Sequence, residues 1–164
     1  MIHRITALIL VILISNALLA QNDQKFFQKK NLMEVGVYYY PEQWDKSEWE
    51  RDFKKMAEMG FEFTHIGEFA WAYMEKSEGK YDFAWLDEAL NLAEKNKLKV
   101  IMCTPTPTPP AWMSEKYTEI LAVNSDGRTF QHGTRQHASW SSPKYIGFTE
   151  KIVTQLALKY GGDK

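Results

Sequence analysis

Two glutamates and an arginine stand where short apolar runs give way to aromatic and polar sequence. Glu42 lies in Tyr39-Tyr40-Pro41-Glu42-Gln43-Trp44, Glu68 in Gly67-Glu68-Phe69-Ala70-Trp71, and Arg135 just ahead of His137. Two carboxyl groups flanking a bond are what glycosidic cleavage uses, separated by about 5–5.5 Å for retention of configuration or about 6.5–9.5 Å for inversion. Glu42 and Glu68 suit such a pair by type. On neighbouring strands, however, both would stand on one side of a cleft, which favours hydrogen bonding to ligand hydroxyls or to nearby side chains over proton transfer. Arg135 offers a planar fork of donors that matches sugar or carboxylate oxygens. Trp71, Trp112 and Trp140 offer flat apolar faces for a sugar ring, although Trp71 and Trp112 suit core packing equally well. Cys103 is the single cysteine, so the chain forms no internal disulfide and no thiolate-rich metal cluster of its own. The four histidines are scattered without metal-binding spacing, and neither a metal nor a cofactor is expected.

The elements that must position these groups follow a regular order. Residues 35–40 are β-branched and aromatic and stop at Pro41, which predicts a buried strand. Ser47 with Glu50 predicts a capping box and a helix start, Trp49, Phe53, Met56 and Ala57 share one face, and Gly60 supplies the glycine stop. A second strand is expected over 61–66, a turn over 77–80, and a helix over 84–95 that buries Trp85, Leu86, Ala89, Leu90 and Ala93. A third strand over 98–103 runs into a proline-rich loop, 104–112. Ser142 and Pro143 then open a last helix, with Ile146, Ile152, Val153, Leu156, Ala157 and Tyr160 as its apolar side and Gly161-Gly162 as its stop. Alternating β and α elements with apolar strands predict an α/β fold whose parallel sheet is covered by helices. No glycine-rich phosphate loop follows the first strand, whereas the post-strand loops are long and rich in aromatic residues, Pro and Glu. That favours a (β/α)₈ barrel, with its site on those loops, over a doubly wound sheet. A barrel needs about 250 residues and eight such units. Three units in 164 residues predict the first part of a truncated TIM barrel, with an open sheet edge that leaves an isolated chain prone to aggregate.

The first residues differ in kind. His3 and Arg4 precede an apolar stretch ending in small residues at Ser15-Asn16-Ala17 and Leu18-Leu19-Ala20, the pattern of a secretory signal peptide. The stretch is short for a membrane span, which takes about 20 apolar residues. The expected organisation is a signal peptide over 1–20, an N-terminal arm over 21–34 and a partial barrel domain over 35–164. The mature protein is expected in the periplasm or outside the cell, off the membrane once the signal is cleaved. Acidic and basic residues nearly balance at a net charge of −1, and no basic stripe points to nucleic acid.

Four motifs in order carry a resemblance: Val37-Tyr38-Tyr39-Tyr40-Pro41-Glu42-Gln43-Trp44, Ile66-Gly67-Glu68-Phe69-Ala70-Trp71, Tyr81-Asp82-Phe83-Ala84-Trp85-Leu86-Asp87, and the proline loop from Thr104 to Trp112. Together they resemble glycoside hydrolase family 42, the β-galactosidases, from about Val35 to Gly161. The resemblance implies a retaining barrel enzyme for β-galactoside oligosaccharides. Its Glu acid/base follows the fourth strand and its Glu nucleophile the seventh, so neither catalytic group lies within this sequence. Arg135 matches the first Arg of the family's Gly-x-Arg-Arg-His segment, which implies contact with sugar in the first subsite; Glu68, Trp71 and Trp112 join it as expected substrate-binding residues. Gln136 replaces the second Arg of that segment. Ser139 replaces a Cys that many members use to bind structural zinc, which argues against zinc here, and Trp140 stands where a smaller residue is usual. The family also implies a homotrimer as one arrangement of the parent protein. Two other readings stay open: a non-catalytic secreted sugar-binding module, and a barrel glycosidase for another β-linked glycan.

Overall fold

The computed structural model describes residues 33–162. The signal peptide read over 1–20 and nearly all of the arm read over 21–34 lie outside the described residues. Residues from Val35 onward form one compact unit. Its centre is a parallel sheet of β1 (Gly36–Tyr38), β2 (Phe63–Ile66) and β3 (Lys99–Met102), in the order β1-β2-β3. Tyr38 stands opposite His65, and His65 opposite Ile101.

Helix α1 (Lys46–Glu58) connects β1 to β2, and α2 (Ala84–Lys95) leads from β2 toward β3. The start of α1 corrects the sequence reading. Asp45 is the N-cap, accepting from both the backbone N–H and the hydroxyl of Ser47. Glu50 does not reach back to Ser47; it pairs with Lys95 of α2. The aspartate wins because its carboxylate, one residue ahead of the helix, already fills the donor that a capping box would need.

Both helices end in the same way. After α1, Gly60 adopts a left-handed φ of +86° while Gly60 N–H donates to the Ala57 carbonyl and Phe61 N–H to the Met56 carbonyl. After α2, Lys97 sits at φ +60°, its N–H donates to the Glu94 carbonyl, and Leu98 N–H donates to the Ala93 carbonyl. Each is a Schellman turn in which the residue after the left-handed position tucks an apolar side chain against the helix end. Phe61 and Leu98 therefore belong to turns, and the strands begin one or two residues later than apolarity alone predicts.

Between β2 and α2 the chain makes an insertion: a one-turn helix, α3 (Trp71–Met74), followed by the antiparallel hairpin of β4 (Glu75–Ser77) and β5 (Lys80–Tyr81). The sequence reading predicts only a turn there. Beyond β3 come α4 (Ala111–Lys116) and the long α5 (Pro143–Tyr160), which is capped by Ser142 and opened by Pro143 as expected. The buried side of α5 consists of Tyr145, Phe148, Ile152 and Leu156, so it is centred one residue away from the predicted stripe, and Ile146 is exposed. The core joins Trp49, Phe53 and Met56 of α1, Leu86, Ala89 and Ala93 of α2, and this face of α5.

Candidate sugar site at the strand ends

The strand ends gather the predicted chemistry. Gly67, directly after β2, has φ +99°, and a Cβ there would lie 3.1 Å from the Cys103 carbonyl and 3.2 Å from Met74. Only glycine turns the chain this sharply in so tight a space. That turn sets Glu68 beside residues from two other segments. Glu68 Oε1 accepts from Arg135 Nη2 at 2.7 Å, and Glu68 Oε2 accepts from the Tyr40 hydroxyl at 3.2 Å. The Arg135 guanidinium also lies over the Phe69 ring, 4.9 Å from its centre, while Phe69 stacks on Tyr40 at 5.6 Å. Burial, followed by the hydrogen bond to Glu68, pushes the Tyr40 phenol above its ordinary pKa. At neutral pH it therefore keeps its proton and donates.

The loop that carries Arg135 is fixed from below. His137 is buried; its Nδ1 lies 2.7 Å from the Thr134 carbonyl oxygen and its Nε2 3.1 Å from Ser114 Oγ. Gln136 adopts a left-handed φ of +59° and donates its N–H to the Pro107 carbonyl at 2.9 Å. A left-handed glutamine costs energy, and hydrogen bonds on both sides of Arg135 hold it there.

The predicted tryptophans do not join this group. Trp71 is fully buried, so neither face of its ring is open to a ligand. Its indole N–H donates to Glu75 Oε2 at 2.8 Å. Trp112 is half-buried, donates its indole N–H to the Glu75 carbonyl at 2.9 Å, and meets Phe148 edge to face. Both indoles are thus tied at the N–H edge to Glu75, and burial encloses the ring of Trp71 in the described residues. Glu75 is the residue that sequence reading misses. It is buried, and its second oxygen, Oε1, accepts from Gly79 N–H at 2.7 Å in the hairpin turn. A lone glutamate ahead of Lys76 and Ser77 carries no sequence sign of burial. Trp140 is exposed and meets Tyr145 edge to face.

Two further groups lie near the strand ends. Glu42 follows β1, and both its carboxyl oxygens are out of solvent contact with no hydrogen-bond partner among the described residues. Burial raises its pKa. Cys103 Sγ, just past β3, lies 3.5 Å from His65 Nδ1, and His65 stacks on Tyr38 at 4.4 Å. Burial, with a smaller effect of the Glu68 charge, raises the thiol's pKa. A protonated, half-buried thiol is a poor nucleophile, so this pair reads as packing. Among the described residues, no group of three or more His, Cys, Asp or Glu side chains is placed to hold a metal ion.

Known proteins with the same features are consistent in kind. A family model described as beta-galactosidase matches residues 38–164. The β-galactosidase BgaA of a Thermus species is 45 % identical over 128 residues, 78 % of this chain and 20 % of that protein. BgaH of Haloferax lucentense is 43 % identical over 128 residues, again 78 % of this chain and 19 % of its own length. The crystal structure of β-galactosidase from the psychrophilic Marinomonas ef1 superposes with a TM-score of 0.76 at 39 % identity, covering 79 % of this chain and 20 % of that one. The Halorubrum lacusprofundi enzyme gives 0.75 at 39 % identity, over 78 % of this chain and 19 % of its own. The chain thus spans about a fifth of the length of the relatives it matches. Sheet order alone would also suit half of a doubly wound sheet; the superpositions decide for the first three β/α units of a (β/α)₈ barrel. The chain belongs to glycoside hydrolase family 42, the β-galactosidases.

Proposed function

We propose that this chain supplies part of the sugar subsite of an exported, retaining β-galactosidase that removes terminal β-D-galactosyl units in carbohydrate catabolism. The observation that carries the reading is Arg135, a guanidinium fixed at the strand ends by Glu68 and Phe69 while 62 % of its side chain stays exposed to a ligand. An arginine held this way has donors left over for sugar hydroxyls. The chemistry itself falls to two carboxyl groups that the resemblance puts on later strands, outside this sequence. Glu68 bonds Arg135 through one oxygen and Tyr40 through the other, which suits it to holding these groups in place. Export rests on the signal-like pattern of residues 1–20.

The test is hydrolysis of nitrophenyl β-galactoside, β-glucoside and α-arabinoside by the full-length protein, with the product anomer followed by NMR. Fastest release from the galactoside with β-galactose appearing first supports the reading. Preference for another glycoside, or α-galactose as first product, overturns it. Export is tested separately by N-terminal sequencing of protein recovered from the periplasm or medium, where the mature chain is expected to begin after Ala17 or Ala20.

A further inference from the structure

We propose that Glu68 is a positioning residue: together with Tyr40 and Phe69 it holds the Arg135 guanidinium in its binding pose and does not itself touch the sugar. The inference rests on the reading of Arg135 as a sugar contact and reassigns Glu68, whose type alone suggested a substrate ligand. Three observations carry it. Each Glu68 oxygen already holds a protein donor, Oε1 that of Arg135 at 2.7 Å and Oε2 that of the Tyr40 hydroxyl at 3.2 Å. The pair is layered, the Glu68 side chain 18 % exposed and that of Arg135 62 % exposed, so the carboxylate lies beneath and the guanidinium faces outward. Finally, Phe69 touches both outer partners: its ring lies 4.9 Å from the guanidinium and 5.6 Å from the Tyr40 ring.

An arginine side chain left free loses much rotational entropy when it binds a ligand. One already held by a carboxylate and a ring face has met that cost before the ligand arrives. An exposed ion pair adds little to fold stability, so the value of this one lies in orientation. Glu68 binds through one Nη, which leaves the remaining donors of the fork directed elsewhere. The Tyr40 hydroxyl in turn fixes the carboxylate, which makes it the third member of the relay.

The test is a double-mutant cycle in the full-length protein, with Glu68→Gln, Arg135→Ala and the pair, read as kcat/KM on a β-galactoside. Glu68→Gln alone is expected to lose up to about 100-fold, the scale of a misplaced contact. Adding Glu68→Gln to Arg135→Ala is expected to cause no further loss. Losses that multiply would show that Glu68 meets substrate on its own and would overturn the proposal. Tyr40→Phe is expected to loosen Glu68 and cause a smaller loss that also vanishes in the Arg135→Ala background. The Nε–H signal of Arg135, seen by arginine-labelled NMR without substrate, gives a second readout. It is expected to shift and broaden in Glu68→Gln while the backbone spectrum stays folded; an unchanged signal overturns the proposal. If the full-length protein splits no galactoside, the sugar reading fails, and this signal still decides whether Glu68 positions Arg135.

Discussion

At the scale of single residues, the two most informative side chains are both glutamates, with opposite accounts. Glu75 is buried and satisfied: Trp71 and Gly79 donate to its two oxygens. Truncation to Ala leaves the buried Trp71 N–H without an acceptor, a cost of about 1–3 kcal/mol, and releases the Gly79 N–H, which lies on an exposed turn, to water. Glu75→Ala is therefore expected to destabilise the protein by about 2 kcal/mol, read as a loss in the chemical denaturation midpoint. Glu75→Gln keeps an acceptor for one donor and should lose less. Glu42 is the reverse case, with no partner among the described residues and a pKa raised by burial. A raised carboxyl pKa means the folded state holds the proton more tightly. Its contribution is complete below the ordinary value of 4.5 and disappears as pH rises through the folded value. Glu42→Gln removes that dependence, so the variant is expected to match the natural protein at pH 4 and to melt higher at pH 7. A lower Tm at pH 7 would show instead that a cation outside the described residues pairs with Glu42.

At the scale of elements, the two helix–strand turns share one design and differ in one residue. Gly60 holds the left-handed position after α1 at no steric cost, while Lys97 holds it after α2 with a Cβ. A non-glycine residue in that region costs about 1–2 kcal/mol, so Lys97→Gly is expected to stabilise the protein by about 1 kcal/mol once glycine's greater freedom in the unfolded chain is deducted. Urea unfolding of the two variants measures it; no gain would mean that the Lys97 side chain makes a compensating contact. These turns also show what the sequence made legible. Helix bounds at Ala84 and Lys95, the cap at Ser142 and the stop at Gly60 were all readable, because each depends on a local backbone preference. Lys97 was not, since nothing in its chemistry announces a left-handed turn. The β4–β5 hairpin is not legible for a related reason: its strands are two or three residues long, too short for alternation to register. At the site, Arg135 and Glu68 were legible by residue type. That they bind each other across 67 residues of sequence was not, because only the return of the loop on Pro107 and His137 brings them together.

At the scale of the whole molecule, the sheet itself predicts how this chain behaves by itself. Among the described residues, β1 and β3 each pair with β2 alone, so each has one strand edge without a neighbour. Exposed edges of parallel strands recruit other chains, and a barrel removes them only by closing on itself. The aromatic residues at the strand ends add to this, with Tyr38 about half exposed. Expressed alone, the 164-residue chain is expected to elute as aggregates in size-exclusion chromatography with light scattering, and to release no nitrophenol from a β-galactoside chromogen. The expected lack of turnover has a separate cause from the expected aggregation. The carboxylate beside Arg135 is engaged by Arg135 and Tyr40, and the Glu42 carboxyl has no hydrogen-bond partner among the described residues. A soluble monomer with measurable turnover that Glu68→Gln abolishes would overturn both arguments together, since it would make Glu68 a catalytic group. Aggregation with no turnover, together with activity in the full-length protein, would fit chemistry carried by strands outside this sequence.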